Sequence, residues 1–155
     1  MTEIVQIFTA AIGSLAFGVL FNIRGKKLLS VFLGGGAAWL FVLLLMHFGV
    51  KEPLAYLVVA FLISVYAEVL ARKLKAPTTV FVIPCLIPLV PGSSLYYTMA
   101  YALNGQKALF LSRALSTLSL AAALAIGIVI ATVLTRLCLS AWQTLKARKD
   151  KHREG

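Results

Sequence analysis

The chain has 155 residues, of which 61% are hydrophobic and 13% are charged, and its mean hydropathy is +0.94. Typical soluble domains are about 45–50% apolar and about 25% charged, and a soluble chain of this length would leave the surplus apolar area in water. The composition therefore excludes a soluble domain and predicts an all-α, polytopic membrane protein with about five transmembrane helices.

The net charge of +10 does not indicate nucleic-acid binding, because the basic residues stand in short clusters between apolar runs, as topology signals beside anionic lipid do.

Three apolar runs open the chain, at residues 4–23, 28–50 and 54–71. Each is close to the roughly 20 residues that a helix needs to cross hydrocarbon. No basic segment precedes the first run and it has no small-residue cleavage site, so we expect a retained helix rather than a signal peptide. Small residues at Gly34-Gly35-Gly36 and at Ser14 and Gly18 predict close helix packing, within this chain or against a partner.

The fourth apolar region, residues 76–105, is too long for one straight crossing and too short for two. Pro84, Pro88 and Pro91 fall in its first half, and each removes a backbone donor from a helix. We therefore expect two helical pieces joined by an irregular break at Pro91-Gly92, with Asn104 and Gly105 ending the second piece. A fifth span at 114–135 completes a single membrane domain, residues 1–140, and a basic tail follows at 141–155.

The distribution of basic residues predicts the orientation, because such residues are enriched on the cytoplasmic side. Five crossings with the N-terminus outside leave only Lys51, Lys107 and Arg113 outside. The other twelve lie inside: Arg24, Lys26, Lys27, Arg72, Lys73, Lys75, Arg136, Lys146, Arg148, Lys149, Lys151 and Arg153. A re-entrant fourth region would split this group, so we expect a multi-pass protein of the cytoplasmic (inner) membrane with a cytoplasmic C-terminus.

The break is the first candidate for a functional site. Non-helical backbone within a membrane is tolerated only where protein buries it or where it lines a wet cavity. Ser93 is placed to cap the second piece, whose free amides would favour an anion, and neighbouring hydroxyls add polar contacts. The alternative is a proline-kinked helix that is merely packed. We hypothesise a substrate site at Pro91, Gly92, Ser93, Ser94, Tyr96 and Tyr97.

Charged residues near the spans supply the remaining candidates. Glu68 is the only acid inside a predicted span; it could couple transport to protons, or it could simply pair with Arg72 four residues later. Arg113 could contact an anionic substrate or extend to the outer interface. Cys85 and Cys138 support neither a disulfide nor a metal site. No hydrolase, zinc-peptidase or P-loop motif occurs, so we expect no enzyme, no metal and no cofactor.

The region that contains Glu68 and the three prolines resembles a known family. The run Ala67-Glu68-x-x-Ala71-Arg72-x-x-x-x-Pro77-x-x-x-Phe81-x-x-Pro84-x-x-x-Pro88-Leu89-Val90-Pro91-Gly92, followed by Tyr96-Tyr97-Thr98-Met99, is similar to the short membrane subunit of the threonine/serine exporter family. The close match covers residues 67–105, and the rest agrees in length, span count and basic tail. Ser93-Ser94 departs from the family, which often has smaller, more Gly-rich residues there.

The resemblance implies a secondary exporter of small amino acids, threonine or serine, or of dicarboxylates. The short protein resembles the second five-helix half of longer ten-helix members. The resemblance therefore implies a longer five-span partner subunit that carries a soluble N-terminal region, and two such halves of opposite orientation suit an inverted-repeat transporter with its site at their interface. The alternative is a non-transporting structural or assembly subunit whose small-residue faces bind a partner membrane protein.

Overall fold

The structure, a computed structural model, describes residues 3–151, with side chains described for residues 3–138. All regular structure within that part is helical. The elements are α1 (Glu3–Leu20), α2 (Lys26–His47), α3 (Glu52–Lys73), α4 (Thr79–Leu86), a 3-10 turn (Ile87–Leu89), α5 (Gly92–Leu103) and α6 (Lys107–Lys151). The all-α prediction is confirmed.

Four helices are long and apolar enough to cross a membrane: α1, α2, α3 and the Lys107–Cys138 part of α6. The fifth candidate span is a bent pair, in which the segment Thr79–Leu89 and helix α5 meet at 54°. At 1.5 Å per residue, α1 with its 18 residues approaches the thickness of a hydrocarbon core, and the other three candidates exceed it. The prediction of about five spans, with the fourth one broken, is confirmed.

Helix α6 is longer than the predicted span at 114–135. It begins at Lys107, directly after a short turn, and it continues to Lys151 through most of the predicted tail. No glycine or proline occurs between Gly127 and Lys151, so the sequence has no strong helix breaker there. Residues 152–155 of the predicted tail lie outside the described part.

The predicted end of α5 at Asn104 and Gly105 is confirmed. Gly105 has a positive φ of 69°, and the amides of Gly105 and Gln106 donate to the carbonyls of Ala102 and Tyr101. This pattern is a Schellman motif, in which a left-handed residue closes the last helical turn. Helix α1 ends in the same way, with Asn22 (φ 57°) in the left-handed position. At the end of α3 Lys75 (φ 47°) is also left-handed, and the Ala76 amide donates to the Ala71 carbonyl.

The core of the bundle is built around α3, which packs against α2, α4 and α6. Its fully buried members include Val31 of α2, Val59 of α3, Phe81 of α4 and Leu89 of the 3-10 turn. Helix α5 packs chiefly against α6, and Thr98 is its one buried residue. The break therefore separates a piece embedded in the bundle from a piece at its edge.

Small residues allow the helices to approach closely. Gly35 of α2 lies directly against Ser14 of α1, and Gly34 lies beside Cys85 of α4. Gly127 of α6 packs on the backbone of α3 near Ala60. The small residues that predicted close packing are thus used within this chain.

Candidate functional site

The break begins where the prolines interrupt the backbone hydrogen bonds of the fourth span. Pro84 lies inside α4 and Pro88 inside the 3-10 turn, and neither can donate to the carbonyl four residues before it. Val90 then adopts an extended conformation with ψ 125°. Pro91 has φ −75° and ψ 58°, and the Gly92 amide donates to the Val90 carbonyl at 2.7 Å, which is an inverse γ-turn. This turn redirects the chain into α5.

The prediction that Ser93 caps the second piece is wrong. The N-cap position belongs to Pro91, and no side chain donates to or accepts from the start of α5. Because the γ-turn lets the helix begin at Gly92, Ser93 lies in the first turn with its side chain exposed. The Leu95 amide donates to the Pro91 carbonyl at 3.0 Å, whereas the Ser93 and Ser94 amides have no backbone acceptor within the described residues. These two amides are available to a ligand, as first-turn amides commonly are.

A cluster of hydroxyl groups fixes α5 against α6. The Ser94 hydroxyl lies 2.6 Å from the Thr117 hydroxyl, and the Thr98 hydroxyl donates to the Ser94 carbonyl at 2.7 Å. The Thr117 hydroxyl also lies 2.8 Å from the carbonyl of Arg113 and donates to it. Thr98 and Thr117 are both buried. We call Ser94, Thr98 and Thr117 the hydroxyl cluster.

The two tyrosines of the predicted site are exposed side chains of α5. Tyr96 and Tyr97 are 70% and 50% exposed, and their rings meet edge to face with centroids 5.5 Å apart. Tyr101 continues the row one turn further, with its ring 6.5 Å from that of Tyr97. The exposed face of α5 therefore carries Ser93, Tyr96 and Tyr97, whereas Tyr101 further along the helix is half-buried.

The two charged candidates are placed differently with respect to the break. Glu68 is mostly buried, with 17% of its side chain exposed, and its carboxylate is 3.3 Å from the Arg72 guanidinium. Within the described residues, no hydrogen bond or ion pair joins Glu68 to the break. Arg113 is exposed on α6, one turn before Thr117. The structure thus places Arg113 near the hydroxyl cluster and pairs Glu68 with Arg72.

A cavity borders the other side of the break. It has a volume of about 270 Å³ and is lined by residues of α1, α2 and the 3-10 turn: Gln6, Thr9, Ala10, Gly13, Trp39, Ile87 and Pro88. The Trp39 indole donates to the Gln6 side-chain carbonyl at 3.2 Å, which holds both polar side chains at the wall. Irregular backbone at membrane depth requires protein or a wet cavity beside it, and this cavity lies against the 3-10 turn.

Sequence reasoning missed Thr98, Thr117, Gln6 and Trp39. Polar residues in otherwise apolar runs were the available signal for Gln6 and Thr117, because such groups need partners in a membrane. The partner of Thr117 depends on how α5 is aligned with α6, and the partner of Gln6 depends on how α1 is aligned with α2. The apolar runs alone do not determine these alignments.

Residues 6–134 match the family described as Threonine/Serine exporter, ThrE. No solved structure matches the chain. The match includes all five candidate spans except the ends of α1 and α6, and it contains the break and the hydroxyl cluster. It also agrees with the resemblance inferred from the sequence of the fourth span. The chain therefore belongs to the threonine/serine exporter family and is a membrane protein of the transporter class.

Proposed function

We propose that this chain is one subunit of a secondary exporter that moves threonine, serine or a small dicarboxylate across the cytoplasmic membrane. The observation that carries the proposal is the break in the fourth span of a chain from an exporter family. At the start of α5 the amides of Ser93 and Ser94 have no backbone acceptor within the described residues, and the Ser94 hydroxyl in the same turn contacts that of Thr117. Transporters with broken helices bind substrate carboxylates at such half-helix N-termini.

In the proposed site each residue has a distinct part. Pro91 and Gly92 supply the turn that frees the amides of Ser93 and Ser94 for the substrate carboxylate. The hydroxyls of Tyr96 and Tyr97 lie one turn further and bind the polar remainder of the substrate.

Arg113 is the proposed second contact for the anionic group. Its place one turn from Thr117 supports this role, because the Thr117 hydroxyl bonds to the Arg113 carbonyl and to Ser94. Glu68 and Arg72 are proposed to act as a pair, either holding α3 at the interface or coupling export to protons.

The exposed hydroxyl groups of α5 support the proposal of a partner subunit. Tyr96 and Ser93 are exposed there, and hydroxyl groups facing hydrocarbon without a partner are costly. A longer five-span subunit of the same family, packed over this face, would bury the hydroxyls and close the site between two halves. The alternative of a purely assembling subunit is less favoured, because the Gly34-Gly35-Gly36 face packs inside this chain and is not available for a partner.

The proposed orientation places the N-terminus outside and the C-terminus in the cytoplasm. Arg24, Lys27 and Lys75 come together at one end of the bundle, which supports a common side for the two basic clusters. That side is cytoplasmic under the positive-inside rule.

The test is an efflux assay in cells that co-express this chain with the longer subunit and are preloaded with threonine, serine or succinate. We expect export of at least one of them to depend on this chain and to fall with Ser94→Ala. The matched control is Ser116→Ala, because Ser116 is an exposed serine of α6 that bonds only to its own helix. Unchanged efflux of all three compounds after deletion of the chain would refute the transport proposal. Efflux that requires the chain but does not fall with Ser94→Ala would favour the assembly alternative.

A further inference from the structure

A recess lies at the end of the bundle where the α1–α2 and α3–α4 connections meet. It has a volume of about 370 Å³, and its polar wall carries Arg24, Lys27 and Lys75 beside Asn22. No acidic residue lines it. Three cations around one recess favour an anionic ligand, and a phosphate group is the common choice of such basic pockets at membrane surfaces.

The basic side chains are positioned by the backbone of the two connections. Asn22 and Lys75 both occupy left-handed positions that close their helices, so their location is set by the helix ends. The Arg24 guanidinium donates to the Asn22 side-chain carbonyl at 3.0 Å. This bond orients Arg24 and leaves its remaining donors for the ligand.

An apolar groove continues from this recess along α4. The groove has a volume of about 200 Å³ and is lined by Phe21, Ile23, Thr79, Val80 and Ile83. Phe21, Ile23 and Val80 line both the groove and the recess, so the two are continuous. A phosphate ion would fill only the basic part. A phospholipid has both a charged headgroup and an acyl chain, and therefore matches the whole surface.

The position along the candidate spans agrees with a lipid ligand. Helix α1 ends at Leu20, α2 begins at Lys26, α3 ends at Lys73 and α4 begins at Thr79, so the recess lies at the level where spans meet water. We propose that this surface binds one anionic phospholipid, with its phosphate among Arg24, Lys27 and Lys75 and an acyl chain along Ile83. This proposal does not depend on which compound the protein transports.

Native mass spectrometry of the full chain in detergent, titrated with dioleoyl phosphatidylglycerol, tests the proposal. We expect tighter binding of phosphatidylglycerol than of phosphatidylcholine, and a loss of affinity of about fivefold for each lysine removed in Lys27→Gln/Lys75→Gln. The matched control is Lys51→Gln/Lys107→Gln, which removes two exposed lysines outside the recess. Equal losses in both double variants, or equal affinity for both lipids, would overturn the site.

A groove variant separates a lipid from a soluble phosphate. Ile83 is 48% exposed, lines the groove and does not line the basic recess, so Ile83→Trp fills the groove and leaves all three cations in place. We expect Ile83→Trp to weaken binding of phosphatidylglycerol and to leave the weaker binding of glycerol phosphate unchanged. If glycerol phosphate or inorganic phosphate binds as tightly as the lipid, and Ile83→Trp has no effect, the ligand is a soluble phosphate and the lipid proposal is wrong. Melting curves of all variants check that the fold is retained.

Discussion

The hydroxyl of Ser94 in α5 lies 2.6 Å from the hydroxyl of Thr117 in α6, and this contact fixes the first turn after the break against α6. Thr117 is buried and Ser94 is half-buried, so the bond is shielded from solvent. The two amides that we propose for carboxylate binding belong to this same turn. The position of the proposed site therefore depends on a contact between two residues that are 23 positions apart.

A double-mutant cycle with Ser94→Ala and Thr117→Val measures this contact. We expect each single variant to lower thermal stability and the two effects to be less than additive, with a coupling of about 0.6 kcal/mol and at most about 1.7 kcal/mol, as for interhelical side-chain hydrogen bonds in other membrane proteins. The measurement is reversible unfolding in detergent. Additive losses would mean that the two hydroxyls act separately. Ser116→Ala, an exposed serine on α6, should leave stability unchanged.

Variants of the ion pair between Glu68 and Arg72 show whether Glu68 only pairs with Arg72 or also couples export to protons. We expect Glu68→Gln and Arg72→Gln each to reduce efflux, because each leaves an unpaired charge near the membrane interface, and the double variant to recover most of the loss. The measurement is the efflux assay at several external pH values. If Glu68→Gln alone abolishes the pH dependence and Arg72→Gln does not, Glu68 carries the coupling proton and the pairing interpretation is insufficient.

Gly127 provides a test of the packing of α6 on α3. A methyl group at this position would lie 2.5 Å from the Leu57 carbonyl oxygen and 2.8 Å from the Ala60 side chain. We expect Gly127→Ala to lower the free energy of unfolding by about 1–3 kcal/mol, since backbone atoms cannot move aside easily. Gly13→Ala is the control, because apart from its chain neighbours and the nearby backbone of α1 no atom lies within 4 Å of the added methyl group. The free energy of unfolding of Gly13→Ala should be unchanged or slightly higher, because alanine favours a helix more than glycine does. Equal destabilisation by both substitutions would contradict the packing argument.

The sequence predicts the spans and the break better than the details of the site. Long apolar runs and prolines at 84, 88 and 91 act locally, so they determine the helices and the interruption directly. The N-cap prediction for Ser93 was wrong because one hydrogen bond, from the Gly92 amide to the Val90 carbonyl, lets the helix begin before Ser93. Thr117 was missed because its partner is determined by the alignment of α5 with α6, which arises only when the two helices pack.

Thiol labelling tests the proposed orientation. In a Cys138→Ser background the remaining native cysteine, Cys85, is fully buried and should not react. We expect a membrane-impermeant maleimide added to intact cells to label Lys51→Cys, in the connection between α2 and α3, and to leave Lys75→Cys unlabelled until the membrane is opened. Both positions are exposed, so accessibility within the protein does not differ. Labelling of Lys75→Cys in intact cells, with protection of Lys51→Cys, would reverse the orientation and place the basic recess on the outer surface, against the positive-inside rule.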